Sequence, residues 1–242
     1  MVARLAMTTQ EHRPPRTDRD LRRAYRLLRA HFGHQKWWPA ETPFEVCVGA
    51  ILTQNTNWAN VERALDNLRA HDLLEPRRLF RVTEAELARL IRPAGYFRVK
   101  ARRLRAFLEV LVSQYDAELE RLWAGTPQQA RNRLLAIHGI GPETADSLLL
   151  YAGRRRTFVI DAYTTRIFVR HGWCSANPTY AQLQHICKSA LRRNELGRQV
   201  DLWQDYHAQL VMVGKNYCRP SHPRCEHCPL KPLLPRPGVE QH

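Results

Sequence analysis

Acidic residues, glycine and long apolar runs are all scarce in this chain, and each shortage narrows what it can be. Among 242 residues, 23 Asp and Glu stand against 38 Lys and Arg, leaving a formal charge of +15. A surplus of that size suits a polyanion, either nucleic acid or an acidic membrane surface. An arginine-rich proteome would produce the same number. No apolar stretch approaches the ~18 residues of a membrane-crossing helix, and the longest, Val46 to Leu52, fits one buried helix face. The opening MVARLAMTTQEHRPPR has no apolar core of the kind a secretory signal carries. Glycine, at 11 residues, is far too rare for a collagen-like repeat. Internal repeats, low-complexity blocks and the alternating pattern of half-buried strands are missing as well. The expectation is a cytoplasmic chain without a membrane partner.

The six cysteines do not form a disulfide framework. Cys47 lies in an apolar helical run, and Cys174 and Cys187 stand apart, so all three read as small packed hydrophobes. Cys218, Cys225 and Cys228 crowd the C-terminal region at metal-ligand spacing.

What the chain does have is helix starts. Thr42-Pro43-Phe44-Glu45, Thr83-Glu84-Ala85-Glu86, Thr126-Pro127-Gln128-Gln129 and Thr179-Tyr180-Ala181-Gln182 each place Thr at the N-cap and Glu or Gln three residues on. That spacing predicts four capping boxes, in which each side chain satisfies the other residue's orphan amide. The apolar spacing predicts helices over 19–33, 43–54, 58–70, 84–91, 97–115, 127–136, 142–152, 162–171, 180–192 and 199–215, an all-α chain. The basic residues of Arg98-Val-Lys100-Ala-Arg102-Arg103-Leu-Arg105 lie within one of these, which favours a folded basic surface over a disordered arm.

Two segments carry chemistry. In Leu134-Leu-Ala-Ile-His138-Gly139-Ile140-Gly141-Pro142-Glu143-Thr144-Ala145, a helix stops at His138, Gly139 and Gly141 turn the chain, and Pro142 opens the next helix. The glycines permit φ > 0 and close backbone approach. Amides beside a helix N-terminus would then make an anion site, with Ile140 plugged between the helices. A tight turn with glycine for steric reasons alone is the plain alternative. Twenty residues past Gly141, Asp161 follows Phe158-Val-Ile and precedes a new helix, the position of an N-cap.

Taken with Leu52-Thr-Gln54-Asn55-Thr56 and the C-terminal cysteines, these segments resemble the helix-hairpin-helix DNA glycosylases related to endonuclease III, over about Trp37 to Pro235. The resemblance implies a two-lobed all-α fold. One lobe would be a helical barrel of residues 43–156 with the hairpin, and the other would combine 17–42 with 157–235. It also implies that Gly139, Ile140 and Gly141 grip a phosphate of damaged double-stranded DNA, with an alkali cation at the hairpin. Gln54 would fill the gap left by a flipped nucleotide, and Asp161 would be essential for breaking the N-glycosidic bond. A fixed carboxylate suits that role, because losing a base develops oxocarbenium charge on the sugar. A monomer is expected.

The sequence departs from endonuclease III at two places. Bifunctional members carry a hairpin lysine that attacks the sugar; Glu143 stands there, and a carboxylate cannot form an imine. Lys100 or Lys215 would have to substitute. The expectation is therefore a monofunctional glycosylase. The family's [4Fe-4S] cluster needs a fourth cysteine six residues beyond Cys228, and Leu234 occupies that place. His222, His227 or His242 could complete the cluster or a zinc site of Cys3His type, and a decayed site held by packing is the third reading.

Trp37-Trp38-Pro39 precedes the Thr42 helix, and Trp58 follows Gln54 closely. Three indoles there could form a stacking slot or serve as core anchors. The pattern looks like the 3-methyladenine DNA glycosylase III subgroup, which implies that Trp38, Pro39 and Trp58 embrace a flipped, positively charged alkylpurine. The alternatives are an endonuclease III-like glycosylase and AP lyase for oxidised pyrimidines, or a non-catalytic helix-hairpin-helix DNA-binding protein.

Overall fold

A computed structural model describes residues 17–192 and 196–235. Among these residues every regular element is helical, as the spacing predicts. In chain order they are α1 (Thr17–Phe32), α2 (Pro43–Leu52), α3 (Trp58–Ala70), α4 (Pro76–Arg81), α5 (Glu84–Leu90), α6 (Phe97–Tyr115) and α7 (Leu119–Leu122). They continue with α8 (Pro127–Leu135), α9 (Pro142–Ser147), α10 (Ala162–Arg170), α11 (Tyr180–Ala190) and α12 (Leu196–Asn216). The short α4 and α7 were not anticipated, since four to six residues hold too little periodicity to read. Glu75 starts α4 by accepting from the amides of both Arg77 and Arg78.

Two of the four predicted capping boxes close, at Thr126 with Gln129 and at Thr179 with Gln182. At Thr42 and Thr83 the threonine caps its helix, but the glutamate does not return the bond. Glu45 instead accepts from the amide of Glu41 and pairs with Arg69, while Glu86 takes Arg89 one turn on. A charge-assisted partner outcompetes a neutral amide.

α2 is buried on nearly every residue and packs against α3, α6 and α9. Ile51, Leu52, Leu65, Leu68, Leu104, Phe107 and Leu108 interlock around it, each almost wholly buried. A buried Leu or Phe contributes about 1.5–3 kcal/mol, so this face decides how the helices around α2 assemble. On the other side α10 packs along α12, and α1 lies against α11 and α12.

The N-terminal segment is pinned by α12. Buried Asp205 accepts from the Tyr25 hydroxyl (2.8 Å) and the Gln35 amide (2.9 Å), and Gln209 donates to the Gly33 carbonyl. The chain thus leaves α1 in a fixed direction, which delivers Trp37 and Trp38 beside α2.

The expected helix 142–152 is not uniform. After Ser147 it widens into a π-turn, Leu148–Ala152, with the Gly153 amide donating to the Leu148 carbonyl. Gln204 of α12 donates to the Leu150 carbonyl at 2.7 Å. Such a turn rotates the side chains that follow it and is often found at functional sites; here it carries Tyr151 toward α12.

Candidate active site

The hairpin joins α8 to α9 through 136–141. α8 ends at Leu135, before His138, and its last turn tightens as the Ile137 amide donates to Leu134 and the Ile140 amide to Ile137. The Ile140 amide is thus used internally and is not free for an anion, while the Ile140 side chain is buried. Gly139 has φ +84° and lies against the Arg103 side chain, so it needs both its left-handed backbone and its missing Cβ. Gly141 has φ −90°, an ordinary value, and open space where a Cβ would stand, so the turn itself does not require it.

Gln54, expected as a wedge, is tied to the hairpin. Its Nε2 donates to the Gly139 carbonyl (3.1 Å) and the Thr144 hydroxyl (2.8 Å), and its Oε1 accepts from Arg103. Arg103 is a member of the site that sequence reasoning did not single out; it lay inside a basic run with no mark of its own. In that run Lys100 and Arg105 turn inward, the former donating to the Ala94 carbonyl and the latter to Phe80 and Val82, while Arg98 and Arg102 are exposed. Burial and the neighbouring Arg103 lower the Lys100 ammonium to about 8. Tyr96, at the start of α6, is 71% exposed with φ +45°.

A second buried carboxylate, Asp146 of α9, holds the hairpin to its surroundings. It accepts from Arg131 of α8, Thr157, Tyr180 and Gln184, and Gln184 also donates to the Phe158 carbonyl. The extended segment leading to Asp161 is thereby fixed relative to the hairpin.

Asp161 caps α10. Its Oδ1 accepts from the Thr164 amide at 2.7 Å, and its Oδ2 lies 3.5 Å from Nε2 of His207 in α12. Burial alone would raise this carboxyl, but the close approach and charge of His207, with the Thr164 amide, outweigh it and hold the group below the usual range. Glu143, in the first turn of α9, keeps contact with solvent, yet crowding by the cleft and the nearby Asp161 charge raise its carboxyl. Two neighbouring carboxyl groups pushed in opposite directions mark a candidate catalytic centre.

The expected stacking slot is closed. The rings of Trp38 and Trp58 meet edge to face, 5.3 Å between centroids at 85°, and Trp37 contacts both. Parallel faces a base-thickness apart do not occur between them; edge-to-face packing is the arrangement that neighbouring ring quadrupoles prefer. Trp38 approaches α2 at Gly49, where a Cβ would stand 3.3 Å from the indole nitrogen. On its other side it packs on Tyr151, 5.3 Å away. Pro39 is exposed, and with Trp58 it borders a cavity of about 430 Å³ that also takes in Glu45 and Arg69 but not Asp161.

At the C-terminal end, Cys218, Cys225 and Cys228 line one small space with His171, Arg170 and Leu234. Arg170 donates toward the Cys218 sulfur at 3.4 Å, and the Cys228 thiol is raised by burial above all, with the other two thiols adding to it. Three thiols converge, but Leu234 brings no donor where a four-thiolate cluster needs one, so the residues present do not fit complete [4Fe-4S] ligation. Among the described residues no three His, Cys, Asp or Glu gather closely enough for a metal ion, so His222 and His227 do not complete a zinc site either. His242 lies outside the described residues.

Residues 48–193 match the model of the HhH-GPD superfamily base excision DNA repair proteins. The chain is 44% identical over 210 residues to the "Putative DNA repair glycosylase MJ1434" of Methanocaldococcus jannaschii, covering 86% of this chain and 92% of that protein. It is 28% identical to Endonuclease III of Thermotoga maritima over 78% of this chain and 81% of the relative. Among solved structures, H. pylori 3-methyladenine DNA glycosylase bound to 1,N6-ethenoadenine aligns at TM-score 0.70 and 25% identity, over 82% of this chain and 97% of that one. A trapped endonuclease III–DNA covalent intermediate aligns at TM-score 0.74 and 20% identity, over 90% and 95%, a likeness of fold.

Proposed function

Because the chain belongs to the HhH-GPD superfamily of base excision DNA repair proteins, we propose that it is a monofunctional DNA glycosylase that hydrolyses the N-glycosidic bond of a flipped alkylpurine such as 3-methyladenine. The observation that carries this reading is the buried Asp161 carboxylate, held at 2.7 Å by the Thr164 amide and approached at 3.5 Å by His207, with Glu143 nearby where a lyase would present an amine. As the C1′–N bond breaks, its electron pair leaves with the base and positive charge develops on the sugar. The ionised Asp161, fixed through both oxygens, stabilises that charge. Water adds to C1′, and Glu143, whose raised pKa makes it the better base of the two, takes the proton.

The aromatic wall of Trp38, Trp58 and Tyr151 supports a flat base as substrate, and the likeness to a 3-methyladenine glycosylase supports an alkylated one. A cationic purine lies well against an indole face, and with the indoles in contact it would use one face unless a ring turns. An alkylated purine leaves readily, so a site without a strong acid suffices. On the DNA side, Arg98 and Arg102 would meet phosphates and exposed Tyr96 would enter the stack where the damaged nucleotide leaves it, with Gln54 joining it only on releasing its bonds to Gly139 and Thr144.

The deciding experiment incubates the protein with duplexes bearing 3-methyladenine, 1,N6-ethenoadenine, thymine glycol or uracil, with and without alkaline workup. Release of an alkylpurine, strand breaks only after alkali and no borohydride-trapped adduct are expected. Preference for thymine glycol, or a strong trapped band, would overturn the substrate or the monofunctional reading respectively.

A further inference from the structure

The proposed mechanism gives no role to the contact between His207 and Tyr151, yet both are almost fully buried, at 6% and 7% exposure, and His207 lies against Asp161. The Tyr151 hydroxyl lies 2.6 Å from Nδ1 of His207 and 3.2 Å from the Gln204 carbonyl. His207 Nε2 has no hydrogen-bond partner apart from its 3.5 Å approach to Asp161 Oδ2. We propose that His207 is a positioning residue, which keeps Asp161 ionised and correctly turned, and that Tyr151 fixes the imidazole so that its Nε2 always carries a proton toward that carboxylate.

The hydrogen-bond inventory of the three groups leads to this. A tyrosine hydroxyl has one proton and can also accept, and a neutral imidazole has one donor and one acceptor nitrogen. When His207 is neutral, the Asp161 carboxylate 3.5 Å away favours the tautomer with its proton on Nε2, and Tyr151 then donates to Nδ1 rather than to the Gln204 carbonyl. When His207 is protonated, Nδ1–H donates to the Tyr151 oxygen, whose own proton turns to the Gln204 carbonyl. Nε2–H faces Asp161 in both states. Either way Oδ2 has a donor, while Oδ1 accepts from the Thr164 amide. The carboxylate is thus held at both oxygens, by α10 on one and by α12 on the other. At 3.5 Å the His207 contact is long, as catalytic hydrogen bonds often are before substrate tightens them.

Of the other titratable groups facing this relay, Glu143 opposes ionisation of Asp161 when it is itself ionised, and Tyr151, raised well above its ordinary value, stays neutral. The Glu143 carboxyl from α9 is close enough to interact with Asp161 through its charge, and Tyr151 feels both Asp161 and Asp205. Among these groups His207 alone favours the anion. Trp38 packs edge to face on Tyr151, 5.3 Å between ring centroids, and so buttresses the relay.

This inference rests on the glycosylase reading for its catalytic meaning, but the coupling can be measured without DNA. Protein labelled with 13C at the aspartate carboxyl would be titrated by NMR as wild type, His207→Ala, His207→Gln and Tyr151→Phe. The Asp161 midpoint should rise by about one unit in His207→Ala, a tenfold weaker hold on the anion. His207→Gln, whose amide reaches Oδ2, should recover part of the shift, and Tyr151→Phe should move the midpoint in the same direction by less. In single-turnover base release, His207→Ala should lose about 10–100-fold with DNA affinity unchanged. The acid limb of its rate should lie at higher pH, because a carboxyl that is harder to ionise is protonated sooner as pH falls. Should His207→Ala not fold, the Gln and Phe variants carry the same comparison. An unmoved Asp161 midpoint in the folded variants overturns the proposal, whatever the activity. A moved midpoint in a protein that releases no base from any lesion keeps the relay and overturns the glycosylase reading instead.

Discussion

The Asp161 carboxylate has a neighbouring donor for each oxygen, supplied by two different helices, whereas the three thiols near the C-terminus share a space that Leu234 closes without offering a ligand. Around Asp161 the parts come from far apart in the chain: the π-turn brings Tyr151, α12 brings His207, and the hairpin brings Glu143. Around Cys218 they are local, a loop folded on itself with Arg170 reaching in from α10. The cleft depends on many distant elements agreeing, and the loop on few. A change in the cleft should therefore affect chemistry, while a change in the loop should be absorbed.

The largest effect is expected for Asp161→Asn. Loss of the anion removes the group proposed to meet the developing sugar charge, and base release should fall by about 10²–10³-fold or more. DNA affinity measured by fluorescence anisotropy should be kept. Substantial release by the variant would reduce Asp161 to a helix cap and erase the contrast with the loop.

Part of this was legible in the sequence. Asp161 read as an N-cap because it follows three apolar residues, and it is one. The hairpin read as a turn because two glycines flank Ile140, though only Gly139 uses a left-handed backbone. His207 and Tyr151 could not be read, since nothing local marks a histidine in mid-helix or a tyrosine after a run of leucines; both matter only once a π-turn rotates one toward the other. The Thr42 and Thr83 boxes failed for a related reason. Glu45 and Glu86 had arginine partners within reach, and Arg69, which takes Glu45, comes from another helix. The tryptophans were legible as neighbours of one another, but their edge-to-face orientation is set by packing on Gly49 and Tyr151.

Next in size is Trp58→Ala. Base–aromatic stacking is worth ~1–3 kcal/mol, so release of an alkylpurine should fall about 5–100-fold if all of it is realised in the transition state. Activity should survive above the Asp161→Asn level, because the carboxylate is untouched. Measured on the same duplexes, a loss below twofold would return Trp58 to the core and leave the cavity beside Pro39 unconnected with the substrate.

Smaller still is the effect of one phosphate contact. Log affinity for duplex DNA should fall steeply with log salt, and Arg102→Ala should lower that slope by about 0.9, one counterion fewer. Binding titrations at several salt concentrations measure this directly. An unchanged slope would remove the exposed face of α6 from the interface.

The smallest effect is expected in the loop. With Leu234 in place of a fourth thiolate, the loop's conformation must be held by its own packing and by arginine contacts. Arg170 donates to the carbonyls of Arg219 and Pro220, and Arg166 to that of Cys218. None of these bonds needs a sulfur ligand. Cys225→Ser, a change of one half-buried atom, should therefore cost less than about 0.5 kcal/mol by urea unfolding and leave single-turnover release unchanged. If a cluster did organise the loop, losing one of three thiolates would instead cost several kcal/mol, since metal binding there would be folding free energy. Leu234→Cys sharpens the test from the other side. Supplying the fourth donor should yield protein that retains iron and sulfide in equal amounts after purification, which the parent chain should not. Equal retention by both would show that three thiolates suffice, and the cysteine loop would then stand beside the cleft as a second complete site.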